Sequence, residues 1–224
     1  MKRNKLFVCA SITVVIILCA ATACLQYDGK HGNQHRSTAT VEDLTEYSAA
    51  ARTLQSRYEG YAERASQDGN RLAAGLFRAL AHSSRIHENS CVKALEILGG
   101  RYKPSAVAAF AVRSTQDNLQ RSIADAYRRL DTLRGAAVTR AIASGNNYAA
   151  RIFIRIDGCT RRNIEMLERC LREDDNDSLR RNGREYEVCP TCGNPYEADN
   201  CDVYCPFCHT HRSQFARFGR LKLD

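Results

Sequence analysis

Between Thr40 and Cys170 apolar residues recur every three or four positions, the spacing that gathers them on one face of an α-helix. Leu44, Tyr47, Ala51, Leu54, Tyr58, Tyr61 and Ala65 make the first run, opened by the cap and acidic turn Thr40-Val41-Glu42-Asp43. Asp68-Gly69-Asn70 interrupts it. Leu72, Leu76, Leu80, Ser84, His87, Cys91, Leu95 and Leu98 define a second helix, which Gly99-Gly100 ends. A connection through Pro104, longer than a hairpin needs, leads to a third helix from Ser114-Thr115-Gln116-Asp117, with Leu119, Ile123, Ala126, Leu130, Leu133 and Ala137 on one face. Ser144-Gly145-Asn146 breaks that run, and the fourth helix presents Ala149, Ile152, Ile156, Thr160, Asn163, Leu167 and Cys170. Four amphipathic helices of roughly 25–30 residues bury a sizeable core without help.

The two hairpins match each other at an offset of 76, Gly69, Asn70, Ala73, Ala74, Phe77, Arg85 and Leu95 recurring as Gly145, Asn146, Ala149, Ala150, Phe153, Arg161 and Leu171. Helix periodicity inflates such matching, but the shared Gly-Asn turn is not periodic. Two short hairpins joined by one long crossover is the ferritin-like form of a four-helix bundle. The predicted class is therefore all-α, with the bundle over 40–173, a linker over 174–184 and a small metal module over 185–224.

That module carries the most specific signal. Cys189-Pro190-Thr191-Cys192-Gly193 is answered by Cys205-Pro206-Phe207-Cys208, a C-x2-C-x12-C-x2-C pattern. Each C-x2-C folds into a knuckle whose thiolates lie on one side, and two facing knuckles supply four sulfurs at tetrahedral corners. The spacing favours a metal over two disulfides and suits zinc as well as iron. Cys201, His209 and His211 lie nearby, outside the knuckle spacing.

Composition adds the setting. Helix-forming Ala, Leu and Arg dominate the middle of the 224 residues, while aromatics are 8% and Trp is absent. Of the net charge of +8, Lys2, Arg3 and Lys5 account for three, so the body carries +5, interleaved with Asp and Glu. No basic stripe with aromatic platforms stands out, which excludes a nucleic-acid partner. Met1 to Lys5 followed by apolar Leu6 to Ala20 and Ala21-Thr22-Ala23 reads as an export signal over 1–24, with 25–39 as a tether. Cys24 directly after it suggests a lipid-modified cysteine; a cleaved secreted form and an uncleaved anchor are the alternatives. Each places the body outside the cytoplasm, at a bacterial periplasm or cell envelope.

With the cysteine module, Phe215 after it, Arg57-Tyr58 with Tyr61-Ala62, and Ser114-Thr115-Gln116-Asp117-Asn118-Leu119 in place, the chain resembles the rubrerythrin family over roughly four-fifths of its length. The resemblance implies a ferritin-like bundle followed by a rubredoxin-like iron module. It also implies a homodimer, and a peroxidase-type chemistry that needs a carboxylate-bridged di-iron site from Glu and Glu-x-x-His positions. Matched onto this chain, those positions fall on Ala51, on Ser84-Arg85-Ile86-His87, near Ala124 and Ala126 or Tyr127, and on Gly158 or Cys159 with Asn163. Asp125 sits about 100° around the helix from the third pair. The expectation is that the di-iron site is lost, with no inward carboxylate replacing it and His87 a remnant ligand or a core histidine bonded to Ser84 or Asn163.

The resemblance favours one iron per chain, held by Cys189, Cys192, Cys205 and Cys208, with electron transfer in an oxidative-stress setting; the donor or acceptor protein is unspecified. An active non-haem iron peroxidase and a scaffold with a zinc ribbon are the alternatives. Cys91, Cys159 and Cys170 read as buried apolar residues, one disulfide being the rival.

Overall fold

A computed structural model describes residues 38–104, 106–133 and 135–219. The expected export segment and Cys24 lie outside these residues. Among the described residues no helix is long and apolar enough to cross a membrane. In chain order the elements are α1 (Thr38–Gln67), α2 (Arg71–Ile97), α3 (Thr115–Leu133), α4 (Ala136–Ala143), α5 (Asn147–Arg172), α6 (Asp177–Asn182), β1 (Tyr186–Val188), β2 (Pro195–Glu197) and β3 (Ala216–Phe218).

The helix order is up, down, down, up. Asp68 at the end of α1 accepts from Thr115 Oγ1 at 2.7 Å, which puts the start of α3 beside the end of α1. Asp43 near the start of α1 pairs with Arg140 on α4, and Asn70 at the head of α2 donates to Asp174 just after α5. The crossover therefore runs the length of the bundle. It is held by Tyr102, whose hydroxyl donates to Glu88, and by Phe110, edge-on to Tyr61 with ring centroids 6.3 Å apart.

The two Gly-Asn turns are copies in geometry as well as sequence. Gly69 and Gly145 both take left-handed backbone, with φ of 68° and 73°. Asn70 N donates to Ala65 O and Asn146 N to Ala141 O, each at 2.8 Å. Both asparagines are buried and immediately precede a helix. Asn70 Oδ1 accepts from Ala73 N, and Asn146 Nδ2 donates to Thr40 Oγ1.

One expectation is corrected. The third helix is not continuous to Ala143; it ends at Leu133 and restarts at Ala136, with Gly135 left-handed at φ 73° between them. Ala137 is buried, but from the second segment. The linker also holds a short helix, α6.

The core comes in layers. One end packs Tyr58, Tyr61, Leu72, Leu76, Phe77, Leu80, Leu119 and Leu167; the other packs Leu44, Tyr47, Cys91, Leu95, Ile152 and Phe153. Tyr186 and Val188 of β1 belong to the first of these clusters, so the strand module shares a core with the bundle. Its three strands run antiparallel in the order β2-β1-β3, with Tyr186 opposite both Glu197 and Phe218.

Candidate metal centre

The two knuckles are built alike. Cys189 O accepts from Gly193 N at 2.9 Å, and Cys205 O accepts from His209 N at 2.8 Å. Cys189 N donates to Asn194 O and Cys205 N to Thr210 O, at 3.1 and 2.9 Å. In each loop the fifth residue, Gly193 or His209, is left-handed, with φ of 76° and 59°. That turn brings both cysteines of a pair to the same side.

The four Sγ atoms of Cys189, Cys192, Cys205 and Cys208 all lie within 4.8 Å of one another. Cys189 to Cys208 is 3.4 Å and Cys192 to Cys205 is 3.5 Å. Sulfurs about 2.3 Å from a common ion at tetrahedral corners stand about 3.8 Å apart, so the set fits a tetrahedral thiophilic metal. Protonated thiols make the same point. Hydrogen bonding with Cys192, then burial, pushes Cys189 up to about 12, and burial raises Cys205. Deprotonating four crowded, mostly buried sulfurs needs a cation at their centre. Tyr196 Oη lies 3.2 Å from Cys205 Sγ, where its hydroxyl donates to a thiolate, and the Tyr196 ring stacks on Phe215 at 5.7 Å. Arg162 of α5 also sits over that ring, 5.2 Å from its centroid.

Cys201 is half-buried and outside the group of four, with burial pushing its thiol up to about 11. His209 and His211 are exposed, and His211 Nδ1 instead accepts from Ser213 N at 3.2 Å.

The module is seated on the bundle of its own chain. His87 Nε2 donates to Cys192 O at 3.1 Å, Cys159 Sγ donates to the same oxygen at 3.6 Å, and Ser83 Oγ donates to Gly193 O at 2.5 Å. A Cβ on Gly193 would come within 2.6 Å of His87 Nε2, and one on Gly158 within 2.6 Å of Phe207 Cε1. Both positions therefore stay bare so that knuckle and helix can touch. The expected partners of His87, Ser84 and Asn163, are corrected: Ser84 Oγ donates to Leu80 O, and the histidine reaches out of the bundle to the module. Burial holds His87 down to about 4, the Cys192 carbonyl opposing the shift. Cys91 and Cys170 are free and buried as expected of small apolar residues; Cys159 adds a contact that helix periodicity does not reveal.

Between the two core layers lies a cavity of about 560 Å³, reached by all four long helices and by the crossover. Ala51, Ser84, His87 and Asn163, four of the positions matched to the di-iron ligands, line it. A second expectation fails here, because Asp125 and Asp157 line it too. Asp125 is held by Arg57 and, at 2.9 Å, by Arg128. Among the described residues, the four cysteines are the one group of three or more His, Cys, Asp or Glu side chains close enough to share an ion.

A helical bundle of this topology carrying a tetrathiolate module defines a ferritin-like protein with a rubredoxin-like appendage. Residues 52–157 match the family model Rubrerythrin. Over these residues the chain carries a rubrerythrin-family domain. Among solved structures it is similar to nigerythrin in its fully reduced, all-ferrous state, with a TM-score of 0.72 and 23% identity, over 80% of this chain and 86% of that one. Nigerythrin in its mixed-valence state gives 0.71 and 22% over the same shares. No curated protein sequence matches the chain.

Proposed function

We propose that this chain binds a single iron through Cys189, Cys192, Cys205 and Cys208 and uses it for one-electron transfer, while its bundle has given up the family's metal pair. The carrying observation is the contrast between the two places. Four sulfurs converge at the knuckles, whereas mid-bundle the matched ligand positions hold Ala51 and Ser84, and Asp125 is neutralised by two arginines. Two closely spaced cations need several anionic oxygens converging on them to offset their repulsion, and among the described residues the cavity carboxylates Glu46, Asp125 and Asp157 do not come together as such a group. The iron would supply a reversible one-electron couple; the protein would tune it through the Tyr196 hydroxyl and through burial of the sulfurs.

The family points to an oxidative-stress setting and to a homodimer; the sequence points to attachment at the cell envelope. An external redox partner is then required. Zinc fits the same sulfurs and would make the module a structural staple instead.

Elemental analysis of the purified protein and of Cys189→Ser tests the reading. One iron per chain, lost in the variant together with the visible sulfur-to-iron charge-transfer absorption, is the expected result. Zinc in a colourless protein, or two further irons that survive Cys189→Ser, would overturn it.

A further inference from the structure

The cavity between the core layers has a composition that packing alone does not explain. The cavity is partly open, with Glu46, Ala106, Ala108 and Arg128 of its lining exposed, yet unfilled space against a helical core forgoes packing contacts, and a chain that merely lost metal ligands gains stability by filling the inner part with larger apolar side chains. Here small residues, Ala50 and Ala51 among them, keep about 560 Å³ open, within the range of small-molecule sites.

Besides the carboxylates of Glu46, Asp125 and Asp157, the walls offer two kinds of surface. Leu54, Leu130 and Ile156 give an apolar surface. Arg129 and Asn163 give polar groups left over from protein bonding. Of the three arginines at the cavity, Arg57 and Arg128 are taken by Asp125, but no carboxylate partner for Arg129 is found among the described residues. Arg129 is half-buried and lines the same cavity as His87. Asn163 is 7% exposed, and its Oδ1 has no hydrogen-bond partner. A buried acceptor left unbonded costs on the order of 1–3 kcal/mol, so a site holding one is suited to a molecule that brings a donor.

We propose that this cavity is a binding site for a small organic acid: an apolar body between the core layers, a carboxylate on Arg129 and a hydroxyl donated to Asn163. The inference goes beyond the metal reading but rests on its second half, an interior without a metal pair. Iron content of Cys189→Ser checks that half separately from any binding measurement.

The probe is 4-hydroxybenzoate, titrated into the full metal-loaded protein and followed by calorimetry and thermal shift, with 4-hydroxybenzyl alcohol as the neutral control. One molecule per chain with an affinity of about 1 mM or tighter, and weaker binding of the alcohol, is expected. Ala51→Phe, which fills the space, abolishes binding. Arg129→Gln, at a half-exposed position that leaves folding intact, weakens the acid at least about tenfold and brings acid and alcohol to the same affinity. Absence of saturable binding of 4-hydroxybenzoate by the parent protein overturns the proposal, as does binding that persists unchanged in both variants.

Discussion

His87 and Cys192, 105 residues apart, meet through a 3.1 Å hydrogen bond from the imidazole Nε2 to the cysteine carbonyl. It ties the middle of α2 to a metal-binding knuckle, and the Ser83 to Gly193 bond beside it repeats the connection one turn earlier on the same helix. The carbonyl of a cysteine in the four-sulfur cluster is thus positioned by the bundle and not only by its own loop.

One docking contact sensitive to substitution is Gly158 on Phe207, since a Cβ there would stand 2.6 Å from the ring. Gly158→Leu is expected to lift the second knuckle off α5. It should lower the melting temperature by several degrees and expose the linker over 174–184 to protease. Phe207→Ala in the same chain should recover part of the loss, because it removes the clashing ring; an unimproved double variant would show that the contact is not the cause.

Glu187 is 1% exposed at its side chain and is held by Arg212 at 2.5 Å and Arg217 at 3.2 Å. Arg212 also donates to Cys201 O and Ala198 O. Arg212→Leu should destabilise the module by about 2–3 kcal/mol, less than a fully orphaned buried charge because Arg217 remains. Denaturant unfolding of the metal-loaded protein measures it, and Arg217→Leu, at a far more exposed position, should cost well under half as much.

His209 occupies the left-handed position that Gly193 fills in the other knuckle, and at φ 59° it is the one described non-glycine residue with positive φ. His209→Gly relieves that backbone at the expense of unfolded-state entropy, so stability should hold or rise by up to about 1 kcal/mol. Metal content should stay at one per chain. Loss of the ion in this variant would mean that His209 does more than complete a turn.

Removing the metal should reach the helices as well. Tyr186 and Val188 are packed into the bundle core at under 2% exposure, so a module that unfolds without its ion pulls two large contacts out of that core. Chelation is expected to lower the melting temperature followed by the helical circular dichroism signal, with recovery on adding metal back. A helical transition indifferent to chelator would show that the halves are energetically separate.

Much of this arrangement was readable in the chain, and the misses have a common cause. The helices, both Gly-Asn turns and the clustering of the four cysteines follow from local signals: periodicity, a left-handed glycine before a buried asparagine, and cysteine spacing. The partner of His87, the bare surfaces of Gly158 and Gly193 and the reach of Cys159 depend on segments brought together only by folding. Asp125 reads as off the inward face because it turns about 100° from the matched ligand column, and Asp157 gives no signal of its own. A cavity wider than one helical stripe admits such flanking residues, and Arg57 draws the Asp125 carboxylate inward. The break at Gly135 was missed for the opposite reason: the apolar periodicity continues through it into α4.

The crossover bears on how the chain can be divided. Between Lys103 and Ala109 its described residues are exposed, while each flanking half contains a whole hairpin with its own Gly-Asn turn. Nicking the backbone there would sever the single covalent tie between the hairpins yet leave Asp43 on Arg140, Asp68 on Thr115 and Asn70 on Asp174 clasping the two fragments at both ends. The protein is in that sense two separable polypeptides sharing one strap, and co-expressed halves should reassemble without it.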